Sequence, residues 1–160
     1  MTREPEVREL AQLLRLRGLR ALAATRECAR CAREVDAAEA ALVRRDARIA
    51  HWQAERAALA SFIVGEGARE LARFAPSTAA RGAHLVEQHE RDAYARLDDL
   101  RALEQARTRL AAAQARRARE QAREDETRRM LRQATSAIVV QRDIVEAAEI
   151  SSAARVVAWS

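Results

Sequence analysis

A seven-residue repeat of apolar positions runs through the first third of the chain. Counting in sevens from Val7 to Ile63 meets apolar residues at every step except Arg56. A second set, which starts three residues later at Leu10, is apolar except for two arginines. Two such sets, held over about eight heptads, are the a and d positions of a coiled-coil seam. The pattern therefore predicts one long helix over about residues 3–64 that packs along a partner helix.

A cluster of glycine and proline interrupts this helical pattern. Two glycines follow Val64, Pro76 comes soon after them, and Ser77 or Thr78 could cap the helix that follows. The cluster predicts a single reversal of the chain. The sequence thus predicts one domain over 1–160, with a reversal over 65–77, a second helix over about 78–150 and a frayed tail over 151–160.

The second helix has a weaker seam than the first. Its apolar seam positions are predicted at Val86, Ala93, Leu100, Leu103, Leu110, Leu131, Ile138 and Val145. Between Gln114 and Arg129 no apolar side chain is larger than alanine, so the core there is expected to be thin. One reversal between two long helices predicts an all-α fold, in which both helices form an antiparallel coiled-coil hairpin.

The composition excludes most other architectures. The chain has 39 alanines and 29 arginines but no lysine, and aromatic residues make up 3%. Large cores and β-sheets need the bulky, β-branched and aromatic residues that are scarce here. The net charge of +5 belongs to a mixed surface, with 24 acidic residues among the basic ones. Without a signal peptide or a run of about 18 apolar residues, the chain is predicted to be cytoplasmic, with no membrane span.

Residues that could carry chemistry have a simpler explanation as packing. Cys28 and Cys31 form a C-x-x-C pair, but both fall on seam positions in mid-helix, so we interpret them as core side chains. His84 and His89 are five residues apart, about 140° around a helix, and cannot share a metal ion from one face. With no lysine for a phosphate-binding loop, the sequence predicts no enzyme, no metal and no cofactor.

An arginine-rich stretch of the second helix raises the question of nucleic-acid binding. Its arginines alternate with carboxylates between Arg116 and Glu126, and no aromatic side chain accompanies them. Acidic groups on the same face repel a phosphate backbone. The stretch is therefore interpreted as a solvated helix face, and no nucleic-acid partner is predicted.

The seam from Val7 to Ile63, the reversal from Gly65 to Pro76 and the helix from Thr78 to about Glu149 together resemble one bacterial family. They are similar to the central-stalk proteins of type III secretion export ATPases, the YscO/FliJ type that includes SctO of Hrp-type systems. The resemblance implies a non-catalytic virulence-associated protein. It would stand in the pore of the hexameric ATPase, link it to an export-gate protein, contact escort chaperones and lie peripherally at the inner-membrane export apparatus.

The resemblance also implies contact residues at the two ends of the hairpin. At the terminal end the candidates are Leu13, Arg15, Leu16, Arg17, Leu19, Arg20, Val139 and Val140. At the tip they are Phe62, Val64, Leu71 and Phe74. The leucines could equally widen the seam face. The alternative function is a generic structural or adaptor coiled coil, either a homodimer or a chaperone-binding scaffold.

Overall fold

The computed structural model describes residues 3–65, 68–69 and 71–157. Within this part of the chain, helix α1 spans Arg3–Val64 and helix α2 spans Leu71–Val157. Gly65 ends α1 in a turn, in which its amide donates to the carbonyl of Ser61 at 2.9 Å. Alanine, arginine, leucine and glutamate have high helix propensity, and their abundance accounts for elements of 62 and 87 residues.

The two helices pack against each other in antiparallel directions. Glu55 of α1 accepts a hydrogen bond from Arg81 of α2 at 2.7 Å, and Asp46 accepts one from Arg96 at 2.6 Å. As the residue number rises along α2, the residue number of its partner on α1 therefore falls. The predicted all-α fold, an antiparallel hairpin of two long helices, is confirmed.

The seam of α1 lies where the sequence pattern predicts it. Every predicted a and d position from Val7 to Ile63 is buried or half-buried, apart from the exposed Arg56. The two arginines in the d series, Arg17 and Arg45, also turn into the seam, where both bind polar groups of α2. The heptad pattern of α1 thus identified its packing face even where the residue type was charged.

The seam of α2 is predicted correctly at six of its eight positions, which are buried or half-buried, and wrongly at Val86 and Val145. Polar residues occupy other parts of this seam. Leu85 is 3% exposed, whereas the predicted Val86 beside it is 37% exposed. Val145 is also exposed rather than packed. The buried and half-buried series in steps of seven is Leu85, Asp92, Asp99, Ala106, Ala113, Glu120, Thr127 and Ala134. A search for apolar residues finds this series only in part, because four of its eight members are polar or charged.

Helix α2 begins at Leu71, seven residues before the predicted start, and includes Pro76. Proline has a helical φ and is best tolerated near a helix start. Ser77 and Thr78 are not caps: their hydroxyl groups donate back to the carbonyl of Phe74, at 2.8 and 3.1 Å. The predicted reversal over 65–77 is therefore too long, because its second half is helical.

The C-terminal part of the prediction is corrected as well. The helix continues to Val157 where a frayed tail was predicted from Ser151, and residues 158–160 lie outside the described residues. The internal contacts group the chain into two units, Met1–Cys28 with Ala113–Ser160, and Ala29–Ala112. The division falls beside the stretch of α2 that lacks apolar side chains larger than alanine, where apolar burial is small.

The unit of residues 29–112 contains an apolar core and a charged cluster. Val35, Leu103 and Ala106 are buried together, with Ala38, Leu42 and Leu110 packed around them. Further along α1, Arg45 binds Asp92 at 2.7 Å and Asp99 at 2.9 Å. The indole of Trp52 donates to the second oxygen of Asp92 at 2.8 Å. A buried carboxylate with this many donors fixes which residues of the two helices face each other.

In the unit of residues 1–28 and 113–160 the buried side chains are small or polar, and larger apolar side chains such as Leu14 and Leu131 are half-buried along the same seam. Ala24, Cys28 and Ala113 are buried, and Thr127 is fully buried. Arg17 reaches across from α1 and donates to the Thr127 hydroxyl at 2.6 Å and to the carbonyl of Arg123 at 2.7 Å. Hydrogen bonds therefore add to the apolar contacts between the two helices in this unit.

Candidate functional site

Four leucines of α1 form an exposed stripe in the unit of residues 1–28 and 113–160. This leucine stripe consists of Leu13, Leu16, Leu19 and Leu22, spaced three residues apart. Leu16 and Leu19 are 56% and 64% exposed, so they do not widen the seam. Steps of three residues advance about 300° around a helix, which carries the stripe across the outer face of α1. The outer face of this segment is thus apolar as well as the inner one.

The same segment of α1 is uniformly basic. Between Leu10 and Arg26 the chain has four arginines and no acidic residue. Arg15 and Arg20 are exposed beside the leucine stripe, and neither forms an ion pair within the described residues. Arg17, the third candidate arginine, is occupied by Thr127 and the carbonyl of Arg123 and is not available to a partner. The stripe therefore combines apolar contact with positive charge.

The last part of α2 carries a second exposed apolar surface in this unit. From Val139 to Ile150 every side chain is exposed, and we call this segment the α2 extension. Thr127 lies opposite Arg17, so an antiparallel partner that begins at Arg3 reaches only to about residue 141 of α2. Among the described residues, the part of the extension after about residue 141 lies past the level of Arg3.

The α2 extension is amphipathic. At about 100° per residue, Val140, Ile144 and Val145 share one half of the helix with two alanines. Val139, the other candidate here, and the exposed Ile150 lie within the polar half. That half has three carboxylates, Asp143, Glu146 and Glu149, against the single arginine Arg142. Arg142 already pairs with Glu146 at 3.0 Å. The extension is thus an acidic helix with an apolar face.

A groove lies near the reversal, within the unit of residues 29–112. Its volume is about 510 Å³, and we call it the tip groove. Phe62 of α1 and Phe74 of α2 line it together with Leu59. Around these lie Glu55, Ala58, Ser77, Thr78 and Arg81, with Glu55 and Arg81 joined by their ion pair. Two of the four candidate tip residues are therefore brought into one apolar concavity.

The other two tip candidates lie elsewhere. Val64 is 83% exposed and is not part of the groove lining. The side chain of Leu71 lies outside the described residues. Arg73, which the sequence did not single out, places its guanidinium 5.6 Å from the ring centre of Phe74, within reach of a cation–π contact. The groove is consequently an apolar surface with basic groups beside it.

The residues considered for chemistry are placed as packing elements. Cys28 and Cys31 are buried in the seam and are not joined by a disulfide, as the packing interpretation predicts. His84 is exposed, whereas His89 is half-buried near the side-chain amide of Gln53. Within the described part of the chain, no group of three or more His, Cys, Asp or Glu side chains could hold a metal ion.

The arginine-rich stretch of α2 pairs with its own carboxylates. Arg123 binds Glu120 at 3.1 Å, and Arg128 binds Asp125 at 3.0 Å as well as Glu124. These are the i, i+3 and i, i+4 spacings at which helical side chains meet. The stretch is a charged helix face with its own ion pairs. Over the described residues, neither helix contains a segment both long and apolar enough to cross a bilayer.

Comparison of this chain with protein-family models, curated proteins and solved structures finds no match. The candidate surfaces therefore rest on geometry and charge. Sequence reasoning missed Leu22 and the exposed face of Ile144 and Val145. The three-residue spacing that begins at Leu13 could have identified Leu22. The exposure of Val145 could not be found this way, because it depends on where the partner helix begins.

Proposed function

We propose that this protein is the central stalk of a type III secretion export ATPase and has no catalytic role of its own. The observation that carries the proposal is the apolar and basic outer surface of α1, formed by the leucine stripe with Arg15 and Arg20. A hairpin that only had to fold would bury its leucines in the seam. Large exposed apolar surfaces on a folded chain mark contacts with other molecules.

The stripe suits a partner that surrounds the hairpin. It crosses the outer face of α1 instead of following one line along it. Apolar side chains turned in several directions can be met by several subunits of a ring at once. Arg15 and Arg20 would be attracted to acidic groups lining its pore. The proposed partner of this surface is the hexameric ATPase.

The tip groove is the proposed contact for the export-gate protein. Its aromatic lining, Phe62 and Phe74, offers the kind of apolar anchor site that protein interfaces favour. The ion pair of Glu55 and Arg81 at the groove supplies polar groups beside that centre. In the proposed arrangement the protein works in the cytoplasm at the inner-membrane export apparatus. Escort chaperones are a further proposed class of partner.

A stalk must keep its two helices in register while a ring acts on it. The cluster of Arg45, Asp92 and Asp99 opposes sliding of one helix along the other, because sliding would separate buried charges. The proposed mechanism is therefore mechanical. Asymmetric binding at the ring would be transmitted along the two helices because their relative register is fixed.

The test measures ATP hydrolysis by the cognate export ATPase with and without this protein. Wild-type protein is expected to raise the hydrolysis rate and to bind the ring with one chain per hexamer. The variant Leu16→Asp with Leu19→Asp places two charges on the leucine stripe and should weaken binding at least tenfold. Its matched control is Val43→Asp, an exposed apolar position on α1 in the other unit.

Circular dichroism first establishes that both variants keep the helical content of the wild type. Equal loss of stimulation in the stripe variant and in the control would contradict the assignment of the surface. Absence of any effect of the wild-type protein on the ATPase would contradict the proposed function and favour a generic scaffold.

A further inference from the structure

We infer that the outer face of α1 between Arg8 and Arg26 binds the surface of an anionic lipid bilayer. In this arrangement its leucines enter the edge of the hydrocarbon layer and its arginines lie at the lipid phosphate groups. The leucine stripe crosses this outer face and is also the proposed contact for the ring, so a bilayer and a ring would compete for it. The inference itself does not depend on the stalk function, because it rests only on residues of α1.

The outer face of α1 turns directly away from α2. Leu19 lies about 200° around the helix from Arg17 and about 140° from Ala24, two seam residues that flank it in sequence. Leu16 and Leu22 lie about 60° to either side of Leu19, and all three leucines are exposed. A flat surface that touches α1 at Leu19 therefore meets three large apolar side chains.

Three arginines share this face with the leucines. Arg8, Arg15 and Arg26 are exposed and lie within about 40° of Leu19 around the helix. Between Arg8 and Arg26 no acidic residue lies within about 60° of Leu19. The first and last of these arginines are about 27 Å apart along the helix, with the leucines between them. The outer face is therefore positively charged along its whole length.

Phospholipid is the occupant that fits this mixture of leucine and arginine. Guanidinium groups buried among leucines in a dry protein pocket lose their water and need matched carboxylates. At a bilayer surface the phosphate groups lie directly above the hydrocarbon, so long arginine side chains reach them while neighbouring leucines are buried. A fluid bilayer also adapts to leucines that spread over about 120° of a convex helix. Each arginine near an anionic surface strengthens binding on the order of fivefold.

The experiment measures binding of the full-length chain to phospholipid vesicles by flotation. Vesicles of phosphatidylcholine with about one-third phosphatidylglycerol should bind the protein at least tenfold more tightly than pure phosphatidylcholine, and added salt should weaken that binding. Leu16→Asp with Leu19→Asp should weaken it at least tenfold, because two charges replace the inserted leucines. The matched control, Val43→Asp with Leu97→Asp, adds the same charge at exposed apolar positions of the other unit and should change binding less than about twofold.

A second pair of variants tests the charge of the outer face. Arg15→Gln with Arg26→Gln should weaken binding to the anionic vesicles at least tenfold. Its control, Arg129→Gln with Arg132→Gln, removes the same charge from exposed positions of α2 in the same unit. These two arginines lie about 200° and 140° around α2 from the buried Thr127, on the side away from α1, so the control should change binding less than about twofold.

Brominated lipids locate the contact on the helix. The variant Leu19→Trp should be quenched by brominated phosphatidylcholine in the anionic vesicles, whereas Val43→Trp should show only the quenching of the wild type. Equal quenching of both variants would overturn the inference. So would failure of the wild type to bind anionic vesicles, or equal loss of binding in a variant and its control when both keep wild-type helicity.

The vesicles contain no ATPase, which separates this inference from the proposed function. A chain that stimulates the ATPase but does not bind anionic vesicles would overturn the inference alone. A chain that binds the vesicles through this face but has no effect on the ATPase would contradict the stalk function and support the inference.

Discussion

Replacement of Asp92 by alanine tests whether polar groups hold the two helices together in the unit of residues 29–112. Asp92 is buried and accepts hydrogen bonds from Arg45 at 2.7 Å and from Trp52 at 2.8 Å, with Arg48 at 3.4 Å. Alanine removes all three acceptor contacts at once. The indole then has no acceptor on this residue, whereas Arg45 keeps its bond to Asp99 at 2.9 Å.

The expected loss of unfolding free energy in Asp92→Ala follows from these contacts. A hydrogen bond to a charged group contributes about 1.5–3 kcal/mol, and a buried donor left without a partner costs about 1–3 kcal/mol. Loss of the indole contact in full and of the arginine contact in part gives an expected destabilisation of about 3 kcal/mol for Asp92→Ala. The contact with Arg48 adds little because that arginine is half exposed and screened by solvent.

The assay is urea unfolding followed by circular dichroism, with Trp52 fluorescence as a second signal. The control variant is Asp98→Ala on the same helix, where the aspartate side chain is 77% exposed and pairs only locally with Arg101. The control should change the free energy of unfolding by less than about 0.5 kcal/mol. If Asp92→Ala and Asp98→Ala differ by less than about 1 kcal/mol, the buried cluster does not stabilise the hairpin and the reasoning is wrong.

Three further predictions concern the same seams. The hydrogen bond from Trp52, with the nearby guanidinium groups, lowers the pKa of Asp92. The contribution of Asp92 to stability is therefore present above the unfolded-state pKa of about 4. It is lost as the pH falls through the lower folded-state pKa. Thermal unfolding between about pH 6 and pH 2 should show a smaller loss of stability in Asp92→Asn than in wild type, because the variant lacks the contribution of Asp92. Thr127→Val removes a fully buried acceptor for an arginine of α1 and should destabilise by about 1–2 kcal/mol in urea unfolding; an unchanged midpoint would refute this. Leu103→Ala should cost about 2–4 kcal/mol by the same assay, against less than about 1 kcal/mol for the exposed Leu97→Ala.

The sequence predicted α1 almost completely. Its seam repeats every seven residues, and a repeat of that length specifies which side of a helix faces its partner. The pattern tolerates exceptions, since Arg17 and Arg45 could be read as seam positions from the residues before and after them. Burial at both positions confirms that the register, more than the individual residue, decides what is inside.

The register of α2 could be predicted only in part: the apolar seam positions from Leu103 to Ile138 are buried or half-buried as predicted, but the polar seam positions were not predicted. Asp92 and Thr127 are buried only because Arg45, Trp52 and Arg17 on the opposite helix supply their hydrogen-bonding partners. A single helix sequence does not contain that information. The same limit applies to the start of α2, where Pro76 has the signature of a helix boundary but lies within the helix.

The candidate contact surfaces were predicted in part. Leu13, Leu16 and Leu19 could be placed outside the seam by counting, because the seam register of α1 was already known. That Phe62 and Phe74 line one groove depends on how the chain reverses, and that Arg17 is occupied depends on Thr127. Counting positions along the sequence therefore could not predict the contacts between residues that are far apart in the chain.

The sequence by itself determined that the chain is helical, that it reverses once and which face of α1 is packed. These properties are local or periodic. Helix propensity belongs to each residue, and a heptad repeat can be recognised in the sequence of a single helix. The tertiary structure alone decided which polar side chains of α2 are buried and which apolar ones are left outside. Those outcomes depend on the axial alignment of two helices, since burial at any point requires a partner at the same level.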